Sequence, residues 1–300
     1  MDDIRKKLTG VFAPVVTPFR NDELMLDDLR YNLRKLADSD LTGYLALGSN
    51  GEFRSLSDLE QLHVLEVFAE EKAGKVVMAG TACETTRFTI EKTRKAAEMG
   101  FEFASILTPG YFARQMNDAA LIGHYEAIAD ASPIPILLYN APGFTGGVQL
   151  TPRAVIQLSR HANICGMKDS SPTGPDRYLT ILDHATDFHI LAGSANFFYA
   201  SLHLGAVGGI ISLANPLPAP CCDLFRLFTE QKFDEALDLH FRLSRLNAAV
   251  SGTHGVAGVK AAMNVMGFRG GEPRLPLIPL TDSERDKVRE AIIAEGFNIW

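Results

Sequence analysis

Lys168 closes the apolar run Ile164-Cys165-Gly166-Met167-Lys168, and Tyr139 closes the run Ile134-Pro135-Ile136-Leu137-Leu138-Tyr139. A lysine at the end of a buried strand has its stem among packed side chains and its amine at the edge of that packing. Desolvation disfavours the ammonium form there, which is the route to a nucleophilic neutral amine. A phenol on the neighbouring strand, about 4.8 Å away, can pass protons to and from the carbinolamine that such an amine forms with a carbonyl. Each residue also has a plainer reading: a solvated strand-end lysine, and a rim tyrosine that packs its ring and wets its hydroxyl. Gly48-Ser49-Asn50-Gly51-Glu52 is the third candidate. Two glycines flanking two small polar residues let the backbone curl so that successive N–H groups face one anion, which suits a carboxylate. A plain turn has the same composition. The loop is not a phosphate-binding P-loop, since it lacks the spaced Gly-Lys-Ser/Thr, and no G-x-G-x-x-G follows any strand.

The elements that must position these residues alternate short apolar runs with longer amphipathic ones. Candidate strands begin near Val11, Gly43, Val76, Phe103, Ile134, Ile164, His189 and Gly208. Their starts lie roughly 20 to 35 residues apart, the length of a strand-helix unit. Several are apolar at nearly every position, as parallel strands covered on both faces require. Eight such repeats predict a (β/α)8 barrel, whose function gathers at the C-terminal ends of the strands. Ser57-Asp58-Leu59-Glu60 is a capping box, Thr151-Pro152 reads as an N-cap followed by proline in the first turn, and Gly100 reads as a helix stop. Strict alternation along the sixth strand would turn Cys165 away from Lys168, toward the surrounding helices. Beyond the eighth strand, residues 219–230, 232–249, 254–266 and 281–294 have helical character, broken by the Gly/Pro-rich stretch from Gly267 to Pro279. The division expected is a barrel carrying the site over residues 1–218 and a helical appendage packed on it over 219–300.

The 300 residues carry 46% hydrophobic and 22% charged side chains, the balance of a soluble protein with a real core. A net charge of −7 without a Lys/Arg run offers nucleic acid no attractive surface. No apolar stretch approaches the roughly 20 residues of a membrane span, and the charged N-terminus has no apolar segment behind it, so a cytoplasmic location is expected. Cys83, Cys165, Cys221 and Cys222 form no C-x-x-C pair and the eight histidines no ligand rhythm; no metal is expected.

Several segments, taken together, resemble the dihydrodipicolinate synthase/N-acetylneuraminate lyase family. They are Ala13-Pro14-Val15-Val16-Thr17-Pro18-Phe19, Gly48-Ser49-Asn50-Gly51-Glu52, Thr108-Pro109-Gly110-Tyr111, Tyr139-Asn140-Ala141-Pro142, Gly166-Met167-Lys168-Asp169-Ser170 and Leu191-Ala192-Gly193-Ser194. They occur in family order over nearly the whole chain. The resemblance implies that Lys168 attacks the C2 carbonyl of a pyruvate-type 2-oxo acid, and that the protonated imine is the electron sink for C3–C4 cleavage. No separate cofactor is then needed. It implies further that Tyr139 relays protons, that Ser49, Asn50 and Gly51 hold the C1 carboxylate, and that Tyr111 reaches across a subunit interface into a neighbour's site. Ser170, Gly193, Ser194, Ile211, Phe144 and Arg114 complete the substrate-binding set it suggests. A homotetramer built as a dimer of dimers is the implied assembly.

Synthase-type members of the family place arginine after the tyrosine motif to grip the second substrate's carboxylate. Here that residue is Phe144, which cannot make the bidentate charged contact. Ser49-Asn50, Gly80 to Thr86, Ser132-Pro133-Ile134-Pro135 and Leu204 to Gly209 instead look like 4-hydroxy-2-oxoglutarate aldolase, which releases pyruvate and glyoxylate. That is the leading expectation, with dihydrodipicolinate synthase and a 2-keto-3-deoxy sugar acid aldolase as alternatives. Arg114 is either the cation for a far carboxylate or a surface residue. An apolar Phe144 wall would favour a less charged tail. A dehydratase or deaminase using the same imine, and a non-catalytic 2-oxo acid sensor, are the readings of other classes. Gly267-Phe268-Arg269-Gly270-Gly271 is read as a turn between C-terminal helices in preference to an anion nest.

Overall fold

The computed structural model describes residues 2–171 and 173–299. Eight parallel strands close a barrel: β1 (Gly10–Pro14), β2 (Gly43–Ala46), β3 (Val76–Gly80), β4 (Phe103–Leu107), β5 (Ile136–Asn140), β6 (Ile164–Asp169), β7 (His189–Ala192) and β8 (Gly208–Ile210). Each pairs with its chain neighbours, and β8 returns to β1. These strands are buried almost throughout, because one face meets the barrel interior and the other the helices. The expected eight-repeat barrel is the observed fold.

The interior is sealed at the N-terminal ends of the strands. Phe12, Leu45, Met78, Phe103, Leu137, Leu191 and Ile210 point into one cluster, joined by Leu8 of the N-terminal helix α1 (Asp2–Leu8) and flanked by Ile4. Cys165 belongs to that cluster too, which corrects the expectation that it faces the helices. The β5–β6 register slips between Ile136 and Leu137, pairing Ile136 with Ile164 but Leu137 with Gly166. The extra residue is Cys165, and a bulge of this kind breaks the two-residue alternation on which the expectation rested.

The helices between strands begin where side chains satisfy their free N–H groups. In α3 (Asp58–Glu71) Ser57 accepts from the Glu60 amide while Glu60 accepts from the Ser57 amide, the capping box in full. In α6 (Pro152–Leu158) Thr151 caps and Pro152 occupies the first turn. Helix α4 (Thr86–Glu98) stops at Gly100, whose φ of +81° is open to glycine at little cost. Among the other helices, α2 (Leu26–Ala37) lies beside α3, while α5 (Asp118–Ala131), α7 (Arg177–His184) and α8 (Phe198–His203) continue the outer layer.

Beyond β8, α9 (Pro218–Thr229) packs on β1 and α8, the place of an eighth barrel helix. The expected boundary at 218 therefore falls just ahead of a helix that the barrel itself uses. Helix α10 (Phe233–Asn247) runs into a wider π-helical turn (Ala248–Gly252) and then α11 (Thr253–Val265), with Gly255 outside helical geometry at φ 56°. Helix α12 (Asp282–Ala294) packs on α11. The Gly267 to Pro279 stretch returns to the barrel, where Glu272 bridges to Phe19. Its Gly267–Gly271 portion is a turn: Asn264 accepts from the Gly270 amide and Asn32 from the Arg269 amide, so these N–H groups are spent.

Candidate active site

At the C-terminal ends of the strands the β5–β6 register sets Tyr139 directly opposite Lys168. Both side chains are buried, at 4% and 3% exposure, and the Lys168 amine lies 4.1 Å from the centre of the Tyr139 ring. The phenol oxygen is 3.3 Å from the Ser49 hydroxyl. Burial pushes the Tyr139 phenol up, but the Lys168 charge and hydrogen bonds with Ser49, Lys168 and Ser170 outweigh it, leaving the phenol below its ordinary value. A buried amine, a phenol held beside it and a hydroxyl on the phenol make a connected route for protons.

The strand end behind the lysine is braced from outside. Asp169 is buried and accepts from the Asn140 side chain at 2.7 Å and from the Ser171 amide at 3.2 Å. Burial raises its pKa against the opposing pull of Arg177 and these donors. Asn140 in turn accepts from the Leu150 amide. Gly193 must lack a side chain: a Cβ there would lie 1.9 Å from the Ser170 hydroxyl and 2.6 Å from the Asp169 carbonyl. The glycine lets β7 come close enough to wall the cavity.

Within the 48–52 loop, the amides of Gly51 and Glu52 close turns on the carbonyls of Gly48 and Ser49. The Gly51 carbonyl accepts from Thr17. Gly51 therefore spends its amide on shaping the turn, and the loop's unspent amides among the described residues are those of Gly48, Ser49 and Asn50. The Asn50 side chain donates to the Ser212 hydroxyl at 2.7 Å. Glu52 holds the loop from behind in a left-handed conformation (φ 50°). Its carboxylate meets Lys260 of α11 at 2.5 Å, both side chains being almost fully buried. The second oxygen of Glu52 accepts from the Arg274 amide. Burial pushes the Lys260 ammonium down to about 8 despite its partner.

These groups open on a cavity of about 580 Å³. Ser49, Asn50, Tyr139, Lys168, Ser170, Gly193, Ser194 and Phe144 line it, as expected, with Phe144 63% exposed at the rim. The structure does not bring the remaining expected residues to the wall. Ile211 is fully buried, its amide donating to the Phe12 carbonyl and its carbonyl accepting from Ala214. Arg114 is exposed on a short turn, Ala113–Gln115, outside the cavity. Tyr111 is 80% exposed, stacked edge-on against Phe112 and away from this chain's own lysine cavity.

Sequence reasoning missed a second wall. Asn247, Ser251 and His254 line the cavity from the α10–α11 junction, and Leu277 and Ile278 from the Gly/Pro-rich stretch. No strand-end rule points to them, because the appendage folds back over the mouth. Arg54 was also missed, although it stands two residues beyond the 48–52 loop. Among the described residues no three His, Cys, Asp or Glu side chains gather as a metal-binding group.

A sequence profile of the dihydrodipicolinate synthetase family matches residues 7–295. The chain belongs to that family. It is accordingly an enzyme of the lyase class, as the resemblance implied. Its relatives within the family include the 4-hydroxy-tetrahydrodipicolinate synthase of Methanospirillum hungatei, 33% identical over 94% of this chain and 98% of the relative. A probable mitochondrial 4-hydroxy-2-oxoglutarate aldolase of Emericella nidulans is 30% identical over 96% of this chain and 94% of the relative. Among solved structures, the dihydrodipicolinate synthase of Aquifex aeolicus superposes with a TM-score of 0.91 at 27% identity, over 97% of this chain and 99% of that one.

Proposed function

We propose that Lys168 forms an imine with the C2 carbonyl of a pyruvate-type 2-oxo acid, and that the enzyme makes or breaks the C3–C4 bond of the adduct. The observation that carries this is the Tyr139–Lys168 pair, buried at the mouth and linked to Ser49. The amine adds to the carbonyl and water leaves through proton transfer by Tyr139. The protonated imine then accepts the electron pair released when C3–C4 breaks, as the C4 hydroxyl loses its proton and becomes an aldehyde. Protonation at C3 and hydrolysis free pyruvate and restore the amine. Run backwards, the enamine adds to an aldehyde. In this reading the Ser49 and Asn50 amides receive the C1 carboxylate.

The comparisons support synthase action better than the aldolase action expected from the motifs. The M. hungatei relative and the A. aeolicus neighbour both carry synthase names, and the aldolase relative, at 30% identity, is less similar than the M. hungatei enzyme at 33%. The aldolase reading keeps one observation of its own, a phenylalanine, Phe144, exposed at the rim at the position where synthase-type members place arginine. Product analysis separates them. Condensation of pyruvate with an amino-aldehyde acid to a cyclic dicarboxylate supports the synthase. Pyruvate and glyoxylate from 4-hydroxy-2-oxoglutarate support the aldolase. Loss of water or ammonia from a 2-oxo acid without pyruvate release would overturn C–C chemistry. Assembly as a homotetramer, with Tyr111 completing a neighbour's site, and a cytoplasmic location belong to the same proposal.

A further inference from the structure

We infer that Arg54 grips a carboxylate at the far end of the substrate, supplying from the second strand's loop the guanidinium that the Phe144 position lacks. The inference rests on the imine reading above and names the substrate class of that site: 2-oxo acids whose tail, or whose aldehyde partner, carries a second anionic group.

A cavity of about 580 Å³ lies in the range that holds ligands well beyond three carbons, so pyruvate alone leaves much of it unfilled. Among the described lining residues, Lys168 and Arg54 are the lysine and arginine side chains present. Lys168 is consumed as the imine nitrogen, which leaves Arg54 as the permanently charged lining group for a second anion, His254 being an imidazole on the appendage wall. Arg114 does not compete, because it lies outside the wall.

The guanidinium is held in place. Arg54 sits in the short turn Phe53–Ser55 that directly follows Glu52, so the buried Glu52–Lys260 pair fixes where the turn begins. Its Nη2 meets Glu84 at 2.7 Å while the side chain keeps 47% exposure. The other Glu84 oxygen accepts from the Gly110 and Tyr111 amides at 3.0 and 2.9 Å. Burial pushes the Glu84 carboxyl up, but the two amides and Arg54 prevail and hold it below the usual carboxylate value. Glu84 therefore anchors one nitrogen on a frame built from two loops. Arginine presents five N–H donors in a rigid fork, and the donors not spent on Glu84 suit a second carboxylate bidentately. Glu84 offsets the formal charge at long range. At contact the directed N–H bonds still discriminate an anionic tail from a neutral one of the same length.

The test traps imines with borohydride on wild type, Arg54→Met and Arg54→Lys, and reads adduct by intact mass against ligand concentration. The probes are pyruvate, 2-oxoglutarate and 2-oxopentanoate, the last two sharing a chain length and differing in the far carboxylate. Wild type is expected to half-saturate with 2-oxoglutarate at a lower concentration than with 2-oxopentanoate. Arg54→Met should raise the 2-oxoglutarate value about tenfold or more, the scale of losing a hydrogen bond to a charged group. Arg54→Lys should restore part of it, and the pyruvate and 2-oxopentanoate values should hold. An equal shift for all three probes, no shift for any, or a wild type that traps pyruvate but not 2-oxoglutarate would overturn the assignment. Failure of wild type to trap pyruvate would instead remove the imine reading on which it stands.

Discussion

Tyr139 and Lys168 meet because each is the fourth or fifth residue of its own strand, on strands that are neighbours in register. That much was legible: strand ends are visible in the sequence, and facing residues on adjacent barrel strands follow from them. Removing the phenol oxygen should cost the reaction a proton relay without moving the lysine. Tyr139→Phe is expected to lower kcat about 10²- to 10⁴-fold, measured in whichever direction the enzyme turns over, with the fold intact by circular dichroism. The phenol lies below its ordinary value of 10.0, so the alkaline limb of kcat/KM should begin below pH 10. That limb should vanish in Tyr139→Phe; a limb unchanged in the variant would assign it elsewhere. The roles of Gly51 and Ile211 were not legible, because whether a backbone amide is free depends on turns the sequence does not display.

Element by element, the sequence carried the strands, the capping box and the helix stops, since each is a local pattern. What it withheld was the slip at Cys165 and the reach of α11. A bulge has no composition of its own here, and Lys260 looks like any helix lysine until burial pairs it with Glu52. Breaking a buried ion pair by removing one partner typically costs about 3–5 kcal/mol, whereas replacing both is far milder. Lys260→Met should therefore lower stability in urea by that order, and Glu52→Gln with Lys260→Met should recover much of it. The pH dependence follows from a folded pKa of about 8 against an ordinary 10.5. Between those values the unfolded chain holds a proton that the folded chain has released, so this group adds stability as pH rises through the window and loses it as pH falls through 8. The wild type minus Lys260→Met difference in unfolding free energy, followed from pH 7 to about 10.5, should grow; a difference that shrinks would contradict the assignment.

For the molecule as a whole, the closed barrel was legible from its eight repeats, and the appendage from the helical residue patterns beyond β8. That the appendage walls the cavity was not, since Asn247, Ser251 and His254 acquire meaning only once α10 and α11 fold over the mouth. Assembly is the other expectation for the whole molecule. Tyr111 and Phe112 stand 80% and 65% exposed as an edge-on pair, an uneconomical arrangement for a lone chain and a reasonable one for a face covered by a second copy. Light scattering at micromolar concentration is expected to give the mass of four 32.7 kDa chains, and Tyr111→Arg to shift it toward smaller species. A monomer in wild type would refute the tetramer.

All of the chemistry proposed rests on Lys168 as the imine-forming nucleophile. Intact mass after incubation with pyruvate and borohydride, on wild type and on Lys168→Ala, tests it most directly. One reduced pyruvate adduct per wild-type chain is expected, and none on the folded variant. An adduct that persists in Lys168→Ala, or is missing from folded wild type, would contradict it.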